Sequence, residues 1–174
     1  MPNPTYDLIQ SITQTTGVIT ISFTGIPATY TDIRIMAVTD DLDPSAYGDT
    51  RIRFNGDTGN NYGFVAPYAY GGTTYPHASR YFYGQPWTWI TQNLMERGTT
   101  IVGDIFDYSD TSIYKQMNWF AGEYQANSTT GQFGMWGTAV WNGYAAITSI
   151  DFITASGSPR LKGVYSLYGI KKEA

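Results

Sequence analysis

One histidine and three glutamates bound the acid–base chemistry open to this 174-residue chain. His77 lies in Tyr75-Pro76-His77-Ala78-Ser79. Serine-type catalysis needs a histidine held between a nucleophile and a carboxylate, and no Gly-x-Ser-x-Gly elbow supplies the nucleophile. His77 therefore reads as a loop residue making a local hydrogen bond. Glycoside hydrolysis needs only two facing carboxylates. Glu173 stands at the C-terminal end, and Glu96 adjoins Arg97, which favours its charged form over the raised pKa of an acid catalyst. Glu123 falls in a strand-like run, Gly122-Glu123-Tyr124, so no two glutamates pair. With no cysteine a cysteine-ligated zinc site is excluded, and with one histidine a histidine-ligated metal site is not expected. Asp40-Asp41-Leu42-Asp43 and Asn55-Gly56-Asp57-Thr58-Gly59-Asn60-Asn61 carry the oxygen ligands that hard cations prefer. Neither forms the full calcium loop with its terminal glutamate. Both read as turn chemistry, as does Asn127-Ser128-Thr129. These residues lead to an expectation of no catalytic residue, no cofactor, no metal and no enzymatic activity.

Charge narrows the partners. Ten basic residues against fourteen acidic give a net charge of -4, and charged residues make up only 14%. Phosphate-contacting proteins are normally basic, so nucleic acid is not an expected partner. No apolar run approaches the ~18 residues of a membrane span, and no basic-then-apolar leader opens the chain. A soluble single domain over residues 1–174, with no membrane partner, is expected.

The elements that would position any site have period two. In Gly17–Thr24, Ile19, Ile21 and Phe23 alternate with Thr20, Ser22 and Thr24, as in a half-buried strand. Thr31–Ile35 and Arg51–Phe54 repeat the pattern, followed by Tyr81–Tyr83, Thr99–Phe106, Gln116–Tyr124, Gly131–Trp141, Ile147–Thr154 and Lys162–Ile170. Gly, Asn, Asp, Ser and Pro clusters separate them. Such strands and spacings predict an all-β fold, an antiparallel β-sandwich of jelly-roll type with at most one short helix. The helix, if present, falls at Trp87–Arg97, where Trp87, Ile90, Leu94 and Met95 are loosely spaced by turns. Arg51 and Arg53, sharing a strand face, are expected to meet Asp32 on a neighbouring strand.

Residues 66–92 stand apart as an aromatic-rich insertion, read as an elaborated loop. Tyr68, Tyr70, Tyr75, Tyr81, Tyr83, Trp87 and Trp89 are its candidates for a partner interface or for a platform on which sugar rings stack. Tyrosine joins apolar area to a hydroxyl at modest entropic cost, which suits either use. The competing reading is that many of these rings fill the core. Asn55, Gly56, Asp57 and Gly59 are assigned to a tight structural loop, with both glycines where a side chain would strain the turn.

Several stretches resemble a family of tailed-bacteriophage virion proteins. They are Tyr6-Asp7-Leu8-Ile9, Gly25–Ile33, Arg51-Ile52-Arg53-Phe54-Asn55-Gly56-Asp57-Thr58-Gly59-Asn60-Asn61-Tyr62, Ala145–Ile150 and Tyr165-Ser166-Leu167-Tyr168-Gly169-Ile170-Lys171. The paired signatures RxRFNGDTG and SLYGIK carry most of the resemblance, which covers both ends and the first third of the chain. It implies a β-sandwich module serving as a head-decoration, head-fibre or tail-fibre component, and it carries over no catalytic residues. The expected function is a capsid decoration or cement protein on the virion exterior. It would bind the major capsid protein, other virion proteins or its own copies, a homotrimer being one arrangement. The alternative is a head- or tail-fibre module that binds host surface glycan. A short chain without a stalk favours the free-standing decoration protein.

Leu8–Thr13 and Tyr165–Ile170 both alternate like folded strands, so neither end reads as a loose tail. Deleting Ser166–Ala174 is expected to abolish soluble folding; a truncated chain with unchanged thermal unfolding would contradict this.

Overall fold

The computed structural model describes residues 6–39, 49–70, 73–91, 97–124, 132–155 and 157–171. Among them the chain runs as β1 (Tyr6–Val18), β2 (Thr20–Thr24), β3 (Asp32–Thr39), β4 (Thr50–Phe54), β5 (Tyr62–Tyr70) and β6 (Thr73–Gln85). It continues as β7 (Thr88–Thr91), β8 (Arg97–Phe106), β9 (Lys115–Tyr124), β10 (Gln132–Trp141), β11 (Ser149–Thr154) and β12 (Leu161–Ile170). The described residues contain no helix.

All ladders are antiparallel. They form an eight-stranded sheet, β1-β12-β3-β8-β9-β10-β5-β6, and a four-stranded sheet, β2-β11-β4-β7. The order β1-β12-β3-β8 facing β2-β11-β4-β7 is that of an eight-stranded jelly roll. Two hairpins are inserted into it, β5–β6 between β4 and β7, and β9–β10 between β8 and β11. Both join the larger sheet beyond β8, doubling its width.

The core lies between the sheets and follows from strict alternation. Ile33, Ile35 and Ala37 of β3 point inward, as do Ile101 and Ile105 of β8 and Met117, Trp119 and Ala121 of β9. The small sheet answers with Ile21, Phe23, Ile52, Phe54, Ile90, Ile150 and Phe152, all buried. Trp119 finds room because Gly103 and Gly137 are its direct neighbours on the flanking strands. A methyl group at Gly137 would overlap its indole.

Four sequence expectations change here. Ile19 is 48% exposed rather than inward, because it occupies the bend joining β1 to β2, where the chain passes from one sheet to the other. Trp87–Arg97 contains no helical turn in its described part. Thr88–Thr91 is strand, paired with β4, and Ile90 alternates into the core. The described part of 66–92 is not a loop but the end of β5, all of β6 and β7, the last being a framework strand.

The fourth change is electrostatic. Arg51 and Arg53 do not meet Asp32, because β3 and β4 fall in different sheets. The Arg51 guanidinium instead stacks on Trp87 at 3.7 Å, and Arg53 donates to the Pro86 carbonyl at 3.2 Å. Asp32 accepts the Asp107 backbone N–H at 2.9 Å. A cross-strand ion pair forms instead between Arg34 and Asp104, a two-pronged contact at 2.6 and 2.7 Å.

The first and last strands both sit in the large sheet, with β12 paired on either side, to β1 and to β3. Lys171 holds Asp7 at 2.5 Å. Opposite a register shift in β1, Gly163 has φ of 127°, and a Cβ there would run into the Val38 carbonyl of β3. Neither the angle nor the space admits a side chain. Gly163→Ala is expected to lower stability by about 3 kcal/mol or more; urea unfolding measures it, and an unchanged midpoint would refute the constraint.

Candidate functional site

The tight loop after β4 resolves into a latch. Asn55 and Gly56 adopt φ of 51° and 64°, turning the chain sharply at the end of the strand. That turn aims the Asn55 amide across to the start of β11. Its Oδ1 accepts the Thr148 and Ser149 backbone N–H groups at 2.8 and 3.1 Å. Its Nδ2 donates to the Ala146 carbonyl at 2.8 Å. Asp57 then accepts from the Gly59 N–H at 2.8 Å, Asn61 Nδ2 at 2.9 Å and the Trp141 indole N–H at 2.6 Å. Partial burial would push the Asp57 carboxyl up. Hydrogen bonds from Trp141, Asn61 and Gly59, with Arg53 nearby, outweigh that and hold it below the usual aspartate value. This loop ties β4, β10 and β11 together and commits the side-chain oxygens of Asn55 and Asp57 to the protein.

Of the aromatic candidates in 66–92, Tyr68 and Trp87 are half-buried and packed against the core. Trp87 is also engaged by Arg51 and lies 6.0 Å, centroid to centroid, from Phe64. Tyr70, Tyr75, Tyr81, Tyr83 and Trp89 lie on β5, β6 and β7, with Tyr75 opposite Tyr68 and Tyr81 opposite Val65. Their side chains lie outside the described residues, as do those of His77 and Glu123. Glu96, Glu173, Asp40–Asp43 and Asn127–Thr129 also fall outside.

Two exposed apolar features lie elsewhere, both on the outer face of the large sheet. The first is a row across four adjacent strands. Met36 of β3 pairs Val102 of β8, which pairs Phe120 of β9, which pairs Trp136 of β10. Met36, Phe120 and Trp136 are 44%, 53% and 42% exposed. Val38 and its partner Val164 on β12 extend the row and are equally open.

The second is a cleft of about 430 Å³ where that face meets the β8–β9 turn, lined by Phe106, Asp107, Ser112, Ile113, Tyr114, Gln116 and Tyr144. Tyr144 comes from the β10–β11 connection. Its ring lies 4.8 Å from that of Tyr114, tilted by 46°. The hydrogen bond that the Tyr114 hydroxyl shares with Tyr144 favours its neutral form and holds it above the ordinary phenol value.

The floor of the cleft is braced from below. Asp107 has φ of 45°. Asp110 accepts the Ser112 backbone N–H and hydroxyl, both at 2.7 Å. Lys115 is buried, and its ammonium donates to the carbonyls of Asp110 and Ile113. Burial lowers the Lys115 pKa, with Asp110 and Asp107 opposing. Tyr108 is buried too and donates to the Pro27 carbonyl. Among the described residues no three His, Cys, Asp or Glu side chains converge on a metal position.

A signal for both features lies in the sequence. Ile105-Phe106, Trp119-Phe120, Met135-Trp136 and Val140-Trp141 are adjacent large apolar pairs inside strands. In a period-two element only one member of such a pair can face the core. Phe106, Phe120, Trp136 and Val140 are the outward members.

No family model matches the chain, and no curated protein matches it in sequence. Solved structures resemble it only distantly. Scytalido-glutamic peptidase with a transition-state analogue inhibitor is 18% identical, over 90% of this chain and 73% of that one, with a TM-score of 0.29. SCP-B, a member of the Eqolisin family of peptidases in complex with the tripeptide Ala-Ile-His, is 18% identical over 90% and 72%, TM-score 0.29. The CBM2 module of the evolved Dit from Lactobacillus casei BL23 phage J-1 is 10% identical over 89% and 70%, TM-score 0.34. The expectation that the chain lies outside the enzymes is corrected at this point, since peptidases stand among its structural neighbours. At these identities and scores the likeness transfers neither residues nor activity to this chain.

Asn55→Ala is expected to cost about 1–3 kcal/mol, because it strands two backbone donors and places alanine at a positive φ. The Asp57 carboxyl is depressed in the folded state. Its contribution is therefore complete above the unfolded aspartate pKa and lost as pH falls through the lowered folded value. Urea unfolding from neutral pH to about pH 2 should show that acid loss in the wild type and a shallower one in Asp57→Asn. Parallel curves would contradict the latch.

Proposed function

We propose that the chain is a structural component of a bacteriophage virion, a jelly-roll subunit of the capsid exterior that docks the outer face of its large sheet on the major capsid protein. The observation that carries this reading is the Met36–Val102–Phe120–Trp136 row with Val38 and Val164. Contiguous exposed apolar surface of a few hundred Å² is uncommon on monomers and marks a partner site. Phe120 and Trp136, each about half exposed, have on the order of 100 Å² apiece left to bury, so with Met36 and the valines the row supplies the apolar centre of a standard interface of about 800 Å² per partner.

The rim suits the same use. The Arg34–Asp104 pair lies one row away and is already satisfied internally, so docking beside it leaves no charge unpaired. The phage assignment is supported by the RxRFNGDTG and SLYGIK signatures, which rest on the sequence resemblance. A surface dominated by apolar contact is also insensitive to salt, which suits a particle diluted into varied media.

Mass spectrometry of gradient-purified particles, from a phage whose genome encodes the chain, is expected to find it at fixed copy number. Phe120→Asp with Trp136→Asp should remove it from particles while leaving thermal unfolding of the free protein intact. Absence of the wild-type chain from particles overturns the reading. So does a solution oligomer dissolved by the same pair with no chain on particles, an outcome that assigns the face to a second copy.

A further inference from the structure

We propose that the Phe106–Tyr114–Tyr144 cleft is a binding site for an uncharged hexose ring of a polysaccharide. A pyranose has one face of axial C–H groups and a rim of equatorial hydroxyls. Recognising it takes exposed aromatic faces together with hydrogen-bonding groups at their edges. The cleft presents both. Tyr114 and Tyr144 are 45% and 54% exposed and set at 46° to each other, so that they form two walls rather than a flat stack. Phe106 and Ile113 add apolar surface, and Asp107, Ser112 and Gln116 bring a carboxylate, a hydroxyl and an amide to the same lining. At about 430 Å³ the cleft lies within the usual span for small organic ligands.

Exposed aromatic rings on a loop would ordinarily be poor platforms, because ordering them on binding costs side-chain entropy. Here the ordering is built in. The β8–β9 turn is fixed by the Asp110–Ser112 contacts and by Lys115 beneath it. The β10–β11 connection is fixed by the Ile147 N–H donating to the Tyr108 carbonyl at 2.8 Å, and by the Asn55 latch on the next residue, Thr148. Both walls therefore stand on braced segments, the condition for a preformed site.

Charge selects among sugars. The lining contains one carboxylate, Asp107, and no lysine or arginine, and the whole chain is acidic at -4. An acidic sugar would meet a carboxylate in the lining, and the one cation beneath it, Lys115, is buried and already donates to the Asp110 and Ile113 carbonyls, whereas a neutral hexose can donate hydroxyls to that same carboxylate. The site is distinct from the Met36–Trp136 row and separated from it on the sheet by the row containing Arg34, Asp104 and Asn118. Sugar binding and particle attachment are thus separate properties of one face, and each can fail without the other.

The test is saturation-transfer NMR on the intact protein with neutral glucose-, galactose- and mannose-containing oligosaccharides, and with a galacturonate oligosaccharide as the acidic comparison. A neutral oligosaccharide is expected to show transfer to its ring protons. Tyr114→Ala and Tyr144→Ala should each weaken it by roughly three- to tenfold. Tyr114→Phe, which keeps the ring, should retain most of the affinity. Phe120→Ala, outside the cleft, should leave it unchanged. All three positions are solvent-exposed, so thermal unfolding should hold across the four variants. The inference is overturned if no neutral oligosaccharide binds, if binding survives loss of both tyrosine rings, or if galacturonate binds more tightly.

Discussion

The fold depends on aromatic side chains that cross the space between two sheets and finish on a hydrogen bond. Packed sheets lie about 10 Å apart, and aliphatic side chains meet halfway across that gap. Tyrosine and tryptophan reach further and carry a donor at the tip. Trp119 of β9 donates its indole N–H to the Ile90 carbonyl of β7 at 3.1 Å. Tyr62 of β5 takes the Phe54 N–H of β4 at 2.9 Å. Trp141, at the end of β10, reaches Asp57 beyond β4, and Tyr108, after β8, reaches Pro27 beyond β2. Each runs from the large sheet to the small sheet or its loops. Each supplies a partner that a sheet edge or turn would otherwise lack. Burial of the Tyr62 hydroxyl moves its pKa far upward, the mark of a phenol held neutral in the interior.

That constraint reaches into neighbouring strands. The inward side chains of β9 call for small residues on both sides: a Cβ at Gly137 would overlap the Trp119 indole, and one at Gly103 would press on Met117. Phe54, Tyr62 and Trp141 cluster with centroids about 6 Å apart, so the latch loop sits directly above an aromatic layer. The inserted hairpins depend on the same layer. Tyr62 and Phe64 at the start of β5, and Met117 and Trp119 on β9, fill the ground between the added strands and β7. With those strands seated, the large sheet gains an outer face wide enough to hold both an apolar row and a cleft.

The two signature stretches serve this framework rather than the exposed sites. In Arg51–Gly59, Ile52 and Phe54 are core, Asn55 fastens the start of β11 and Asp57 receives Trp141. In Ser166–Lys171, Leu167 is core, Gly169 lies under the Tyr30 ring and Lys171 closes on Asp7. None of the cleft residues belongs to either stretch. Chains sharing these motifs would share the scaffold while presenting different surfaces, since the β8–β9 turn and β10–β11 connection can vary without disturbing the latch.

Period two, turn chemistry and the absence of helical stripes determined the all-β sandwich, because strand alternation is a local property of the chain. The structural character of Asn55–Gly59 was equally local, since Asn-Gly-Asp chemistry marks a turn wherever it falls. Which strands become neighbours is not local. Asp32 and Arg53 share no sheet, while Arg34 and Asp104, seventy residues apart, face each other across β3 and β8. The aromatic density of 66–92 pointed to a surface, yet Tyr68 and Trp87 lean on the core because the hairpin and β7 are sheet strands. The cleft shows the same limit. Tyr114 and Tyr144 are thirty residues apart on different connections, and they meet because β9 and β10 pair in a register that brings Lys115 opposite Trp141. Tertiary pairing alone sets that register, and with it the place on this molecule where a ligand can rest.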